Sequence, residues 1–230
     1  MKITFISDTH WLVRDPVEKA DMTDMLPGGP ILVHAGDVSG RGTPNEIRDF
    51  LEWFSELPYM HKILIAGNHD FLFEADPKAA AEILADYPNI TYLNDSSVTI
   101  KGIKFWGSPV TPWFHNWAFN RVGEEITKHW DLIPADTDVL ITHGPPKGIL
   151  DETVHGRLHV GCGHLLKKVL EIKPKKQTKE PQKKKRITKQ YINEVTTWGV
   201  NQAKWKAAEE YALDRGWEFK VLTEDDLGIK

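Results

Sequence analysis

Residues 62–70 read Lys62-Ile63-Leu64-Ile65-Ala66-Gly67-Asn68-His69-Asp70, a short buried-strand pattern that stops in a turn built of groups able to hold protons or cations. The pattern recurs along the chain. Lys2 to Ser7 is a β-branched and aromatic run ending in Asp8-Thr9-His10, Ile31-Leu32-Val33-His34 ends in Gly36-Asp37, and Asp138 to Thr142 ends in His143-Gly144-Pro145-Pro146. Between the second and third runs Thr43 caps a helix, Pro44 takes its first position, and Glu46 stands three residues after the cap. Ile47, Phe50, Leu51 and Phe54 give that helix one apolar face, and Asp76-Pro77 opens a second, Ala-rich helix through Leu84. Strand, helix, strand in this order predicts parallel pairing with right-handed crossovers. Shorter strands around Ile90–Leu93, Ser97–Ile100 and Ile103–Gly107, joined by turns such as Lys101-Gly102, suggest an antiparallel second sheet.

Loops at the carboxyl ends of strands in an α/β sheet border one crevice, so these clusters are expected to converge. Asp8, His10, Asp37, Asn68 and His143 offer hard oxygens and imidazole nitrogens, the mixture suited to Mn, Fe or Zn and not to a thiolate site. A carboxylate such as Asp37 can bridge two cations, and a pair about 3.5–4 Å apart can generate a hydroxide and clamp an in-line displacement at phosphorus. One Asp-x-His or one Gly-Asp is a common turn. Four such clusters, each directly after a strand-like run, point to a metal site and to phosphoester hydrolysis.

The rest of the chain sets the bounds. With 230 residues, 40% of them hydrophobic, nine Trp and nine Phe, it can bury a sizeable core and is not a disordered chain. The longest apolar runs, such as Ile63 to Ala66, fall far short of a membrane span. The start of the sequence has no signal-peptide pattern, and Cys162 is the only cysteine, so a reducing, cytoplasmic setting is expected. Residues 1–170 carry 15 Lys and Arg against 23 Asp and Glu, whereas residues 171–230 carry 14 against 10. Two compositions are joined. Glu171 to Gln190 holds nine basic and two acidic residues and is broken by Pro174 and Pro181, which reads as a basic linker or arm. Beyond it, residues 191–230 read as a small α+β appendage: a helix over Asn201–Arg215 stopped by Gly216, then a strand over Trp217–Thr223. The expected division is therefore 1–170, 171–190 and 191–230.

Asp8-x-His10, Gly36-Asp37, Gly67-Asn68-His69-Asp70 and Thr142-His143-Gly144-Pro145-Pro146 resemble the motifs of the calcineurin-like metallophosphoesterases. The resemblance extends to the small UPF0046-type members through His34-Ala35-Gly36-Asp37, Gly107-Ser108-Pro109 and His159-Val160-Gly161-Cys162, and covers about residues 1–170. It implies a four-layer α/β/β/α sandwich. It also implies one metal on Asp8, His10 and Asp37 and a second on Asp37, Asn68 and His143. His69 would face the phosphoester substrate, stabilising charge or protonating the leaving oxygen, with Asp70 orienting it.

Members of that superfamily normally close the site with a late Gly-His-x-His, one imidazole for each metal. Here Gly163-His164 is followed by Leu165-Leu166 and opens a helix, so the fold is expected to stop before its last ligand motif and to hold its second metal weakly. His155, His159 and His164 are the spare imidazoles. The aromatic run Trp113 to Phe119 is read as packing in preference to a platform for a base or aryl ester.

Glu171 to Thr178, Trp198, Asn201 to Trp205 and Gly216 to Glu224 resemble the C-terminal part of phage head-completion nucleases and of TnsA-like endonucleases. In such nucleases Glu171 and Lys173 would match the Glu-x-Lys half of a PD-(D/E)xK centre. Its upstream carboxylates have no recognisable counterpart here, so no working nuclease is expected. The two resemblances overlap at Ile172 to Lys175, which reads as the join of a chimera. The leading function is a metal-dependent phosphodiesterase or phosphomonoesterase. The alternative is an impaired phosphoesterase scaffold whose basic segment 173–189 contacts nucleic acid.

Overall fold

The computed structural model describes residues 2–10, 23–154 and 158–172, and then positions 180–182, 188, 191, 192, 194–196, 198, 199, 202, 206 and 210. By compactness the chain divides into Met1–Leu166 and Lys167–Lys230.

The first unit is built on a parallel sheet of β1 (Ile3–Ile6), β2 (Ile31–Ala35), β3 (His61–Ile65) and β4 (Ile90–Tyr92), in that spatial order. α1 (Pro44–Glu56) links β2 to β3, and α2 (Phe71–Ala75) and α3 (Pro77–Ala85) link β3 to β4. Parallel strands laid down consecutively, with crossovers of the usual right hand, carry all their helices on one face. The residues divide accordingly. Leu32 and Leu64 point to Ile47, Phe50, Leu51 and Phe54 of α1 and to Ile83 of α3. Ile31, Val33, Ile63 and Ile65, one step along each strand, point the other way, onto Phe105, Ile100 and Ile141.

Those last residues belong to a second sheet of β5 (Ser96–Ile100), β6 (Ile103–Ser108) and β9 (Val139–Thr142). A separate ribbon pairs β7 (Thr111–Pro112) with β8 (Asn120–Arg121). α4 (Glu124–Trp130) precedes β9, and α5 (Gly163–Ile172) follows it. The mixed α/β sandwich is the one the family resemblance implies.

Two readings need correction. Ile90–Tyr92 pairs in parallel with β3, because the helical connection through α3 returns the chain to the same edge. The second sheet is mixed and not antiparallel: β5 and β6 form the expected hairpin, but β9 arrives after the crossover through α4 and pairs with β6 in parallel.

Thr43 forms the capping box expected of it: its side chain accepts from the Glu46 N–H, and the Glu46 carboxylate accepts from the Thr43 N–H at 2.9 Å. α5 runs through Ile172, two residues into the segment read as a basic arm. The described positions from 191 to 210 are helical. The rest of the Asn201–Arg215 helix, the Trp217–Thr223 strand, most of the arm and His155 lie outside the described residues. No helix among the described residues is long and apolar enough to cross a membrane.

Candidate metal centre

The turns after β1 and β2 are tied to each other through the backbone. The Asp8 N–H donates to the Gly36 carbonyl and the His10 N–H to the Asp37 carbonyl, each at 3.0 Å. Asp8, His10 and Asp37 all lie in the left-handed region, with φ of 55°, 42° and 57°. Asp and His are among the few side-chain-bearing residues enriched there. Close approach of the next turn depends on glycine. A Cβ on Gly36 would come within 2.6 Å of His143 Nδ1, and one on Gly67 would overlap Asp37.

Asp37 sits at the centre, its side chain 4% exposed. Oδ1 accepts from the His69 backbone N–H at 2.9 Å and lies 3.3 Å from His143 Nε2. Oδ2 faces His10 Nε2 at 3.7 Å and His69 Nε2 at 4.0 Å. His10 Nε2 is 3.8 Å from Asp8 Oδ1, and His143 Nε2 is 3.0 Å from Asn68 Oδ1. The five residues read from the sequence as metal ligands are thus brought together, with the two oxygens of Asp37 turned to two different sets. Ligand-competent atoms of His10, Asp37 and His69, and of Asp8, Asp37 and His143, lie within 4.8 Å of one another in each group.

The donor chemistry fits divalent cations. His143 donates from Nδ1 to the Ala35 carbonyl at 2.9 Å, an outer contact of the kind that aims the other ring nitrogen at a metal. Yet Nε2 also faces oxygens, those of Asn68 and Asp37. A second ring proton, on Nε2, reconciles these contacts. Burial alone would lower the pKa of His143, but the hydrogen bond and charge of Asp37 outweigh it and raise it to about 9. A cation held by His143, Asn68 and Asp37 would take the place of that proton. Asp37 answers in kind: burial would raise its pKa, and the bond to His143 with the neighbouring imidazoles holds it below the usual carboxylate range.

Asp70 is a correction. Its carboxylate is fully buried and does not orient the His69 ring. Oδ2 accepts from Gly67 N–H at 2.7 Å and Val38 N–H at 3.2 Å, while Oδ1 accepts from Ser39 N–H at 3.0 Å and Ser39 Oγ at 2.6 Å. A carboxylate without water must take its hydrogen bonds from what surrounds it, and here that is the backbone of two turns. The His69 ring is held instead by the Gly40 carbonyl, to which Nδ1 donates at 2.9 Å, and by Trp117, whose ring centre lies 4.2 Å away. Neither contact was readable from sequence spacing, because both reach His69 from other loops.

The aromatic run is divided. Ala118 and Phe119 are buried, Trp117 lies on His69, and Trp113 and Phe114 are each 61% exposed, so the packing reading holds for only part of it. Among the spare imidazoles, His159 pairs with Asp151 at 2.7 Å and His164 with Thr127 Oγ1 at 2.9 Å; neither stands in the two clusters. Asp151, missed in the sequence, also accepts from the Gly148 and Gly161 N–H groups and so gathers the loop between β9 and α5.

Compared with known proteins, residues 1–173 match the family model for calcineurin-like phosphoesterases. The chain belongs to that family. It is 38% identical over 185 residues to human metallophosphoesterase domain-containing protein 1, a match covering 71% of this chain and 54% of that protein, so the chain spans about half the length of that relative. Among solved structures, TT1561 of Thermus thermophilus superposes with a TM-score of 0.51 over 75% of this chain and 77% of its own at 14% identity, a likeness of fold. Calcineurin-like phosphoesterases use divalent metal ions. The C-terminal part matches elsewhere. Residues 161–224 match the family model for the N-terminal part of TnsA-like endonucleases. The head completion nuclease of Enterobacteria phage T4 is 50% identical over 62 residues, 25% of this chain and 41% of that protein. The two matches overlap over residues 161–173.

Proposed function

We propose that this chain hydrolyses phosphodiesters or phosphomonoesters at a metal centre held by Asp8, His10, Asp37, Asn68 and His143. The observation that carries the reading is Asp37, a buried carboxylate whose two oxygens face separate sets of nitrogen and oxygen donors. Divalent cations in such a centre polarise a phosphoryl oxygen and lower the pKa of water. The chain's own contribution is to aim and desolvate. Gly36 and Gly67 let the turns close, the Ala35 carbonyl fixes the His143 ring, and Asp70 locks the turn that carries Asn68 and His69.

Without a Gly-His-x-His after Leu170, each of two metals would have fewer anchors. Asn68 is a neutral donor, so the Asn68–His143 side should empty first. The purified protein is expected to retain at most one equivalent of metal after desalting and to gain activity with added Mn²⁺. The test is hydrolysis of bis-aryl and mono-aryl phosphates with Mn²⁺. Activity should depend on the metal, and full activity in Asp37→Ala would overturn the assignment.

A second reading draws on the nuclease-like matches at residues 161–224. In it the chain is a weakly active phosphoesterase scaffold whose basic segment 173–189 contacts nucleic acid. Such binding would weaken steeply with added salt. A salt titration of DNA binding separates the two, and DNA cleavage unchanged in Lys173→Ala would agree with an incomplete Glu-x-Lys centre.

A further inference from the structure

We infer that His69 is a metal ligand in this chain, joining His10 and Asp37 around one cation and supplying an imidazole in place of one that the absent Gly-His-x-His would have given. The inference rests on the metal-centre reading above and assigns His69 a use different from the proton donor expected from sequence.

Three observations carry it. First, the ring is set for ligation: Nδ1 donates to the Gly40 carbonyl at 2.9 Å, which leaves Nε2 as the lone-pair nitrogen. Second, Nε2 and His10 Nε2 flank the same atom, Asp37 Oδ2, at 4.0 Å and 3.7 Å, and Asp8 Oδ1 lies 3.8 Å from His10 Nε2. These gaps are too long for hydrogen bonds, which bring nitrogen and oxygen to about 2.7–3.2 Å. The ligand atoms of His10, Asp37 and His69 lie within 4.8 Å of one another, and a contraction toward the roughly 3.3–3.6 Å between ligand atoms around a tetrahedral cation, with bonds of about 2.0–2.2 Å, would let the three share one. Third, the ring has little freedom to turn to a substrate instead. Trp117 lies against it at 4.2 Å and 32°, and His10 meets it edge-on at 4.6 Å. The main chain adds a further anchor, since the His69 N–H donates to Asp37 Oδ1 at 2.9 Å.

The arrangement has a chemical consequence. A ring nitrogen bound to a cation cannot also carry the proton for a leaving oxygen, so that proton has to come from water. Good leaving groups, such as aryl oxides, should therefore be hydrolysed far better than alkyl esters.

Histidine-labelled chain followed by long-range ¹H–¹⁵N spectra during addition of Zn²⁺ tests this without recourse to activity. His69→Gln assigns the signal. With the first equivalent, Nε2 of both His10 and His69 should leave the range of unliganded imidazole, while Nδ1 of His69 keeps its proton. Competition against a chelating dye should show the first Zn²⁺ bound at least about 10-fold more weakly by His69→Gln, with near-ultraviolet circular dichroism reporting that the variant is folded. If His10 responds and His69 does not, His69 is not a ligand and the inference fails, although the metal centre stands. If neither His10 nor His143 responds, the metal-centre reading itself fails.

Discussion

The turn after β2 and the turn after β3 each carry an aspartate withdrawn from solvent, and they use it in opposite ways. Around Asp70 four donors from Val38, Ser39 and Gly67 converge, so its bonding capacity is filled by the fold itself. Around Asp37 stand three imidazoles, with one backbone hydrogen bond, from the His69 N–H. The pKa directions differ with them. Burial raises Asp70 despite its hydrogen bonds, whereas the imidazoles overcome burial and lower Asp37. Two histidines repeat the contrast. His34 is wholly buried with Thr9 and the Gly36 N–H at its two nitrogens, and burial lowers its pKa to about 3; His143, beside Asp37, goes up to about 9. Burial alone does not mark a functional carboxylate or imidazole. What marks it is whether the fold has already satisfied the group.

The contrast breaks most visibly at Asp37. Asp37→Asn should keep the fold and lose about 1,000-fold in phosphoester turnover, the scale of a Lewis-acid contribution of several kcal/mol. An equal loss of stability in a urea titration would make Asp37 a second Asp70. For Asp70→Ala the order reverses. Leaving buried N–H groups of two turns unpaired should cost about 3 kcal/mol in denaturant unfolding, with turnover falling only as the turns loosen.

His34 sharpens the contrast through pH. The fold favours its neutral ring, so the unfolded chain takes up a proton near pH 6.5 that the folded chain refuses until about pH 3. Its contribution is complete above 6.5 and declines below it by about 1.4 kcal/mol for each pH unit, or about 2 kcal/mol at pH 5. His34→Asn should flatten the stability curve between pH 6.5 and 4 by close to one proton. The smallest effect belongs to Thr43, whose cap lies outside the centre. Thr43→Ala should cost about 1 kcal/mol of stability and leave turnover unchanged.

Much of the candidate centre was legible because the side chains read as ligands sit directly at strand ends, where sequence order and spatial order coincide. Asp8, His10, Asp37, Asn68 and His143 each follow a strand-like run; the consecutive parallel strands β1, β2 and β3 bring the first four to one rim, and His143 reaches it from β9 of the second sheet. The helix starting at Pro44 was equally plain, since cap, proline and glutamate are local signals. Much of what escaped depends on contacts between distant loops. Asp70 looked chemical because it adjoins His69, yet three of its four donors lie about thirty residues earlier, on Val38 and Ser39. Trp117 reaches His69 from another loop, and Asp151 gathers Gly148, His159 and Gly161 within its own loop; neither has a periodicity to announce it. The edge taken by β4 was misread because a three-residue strand carries too little pattern to choose between two sheets.

The left-handed backbone at Asp8, His10 and Asp37 bears on how this protein can be improved. Such conformations cost side-chain-bearing residues about 1 kcal/mol or more each, and glycine is largely exempt. At these three positions, then, selection for thermal endurance and selection for chemistry pull in opposite directions. A library screened only for survival on heating would be enriched in glycine where the proposed centre needs carboxylate and imidazole, and on that proposal its hardiest members would be its least active.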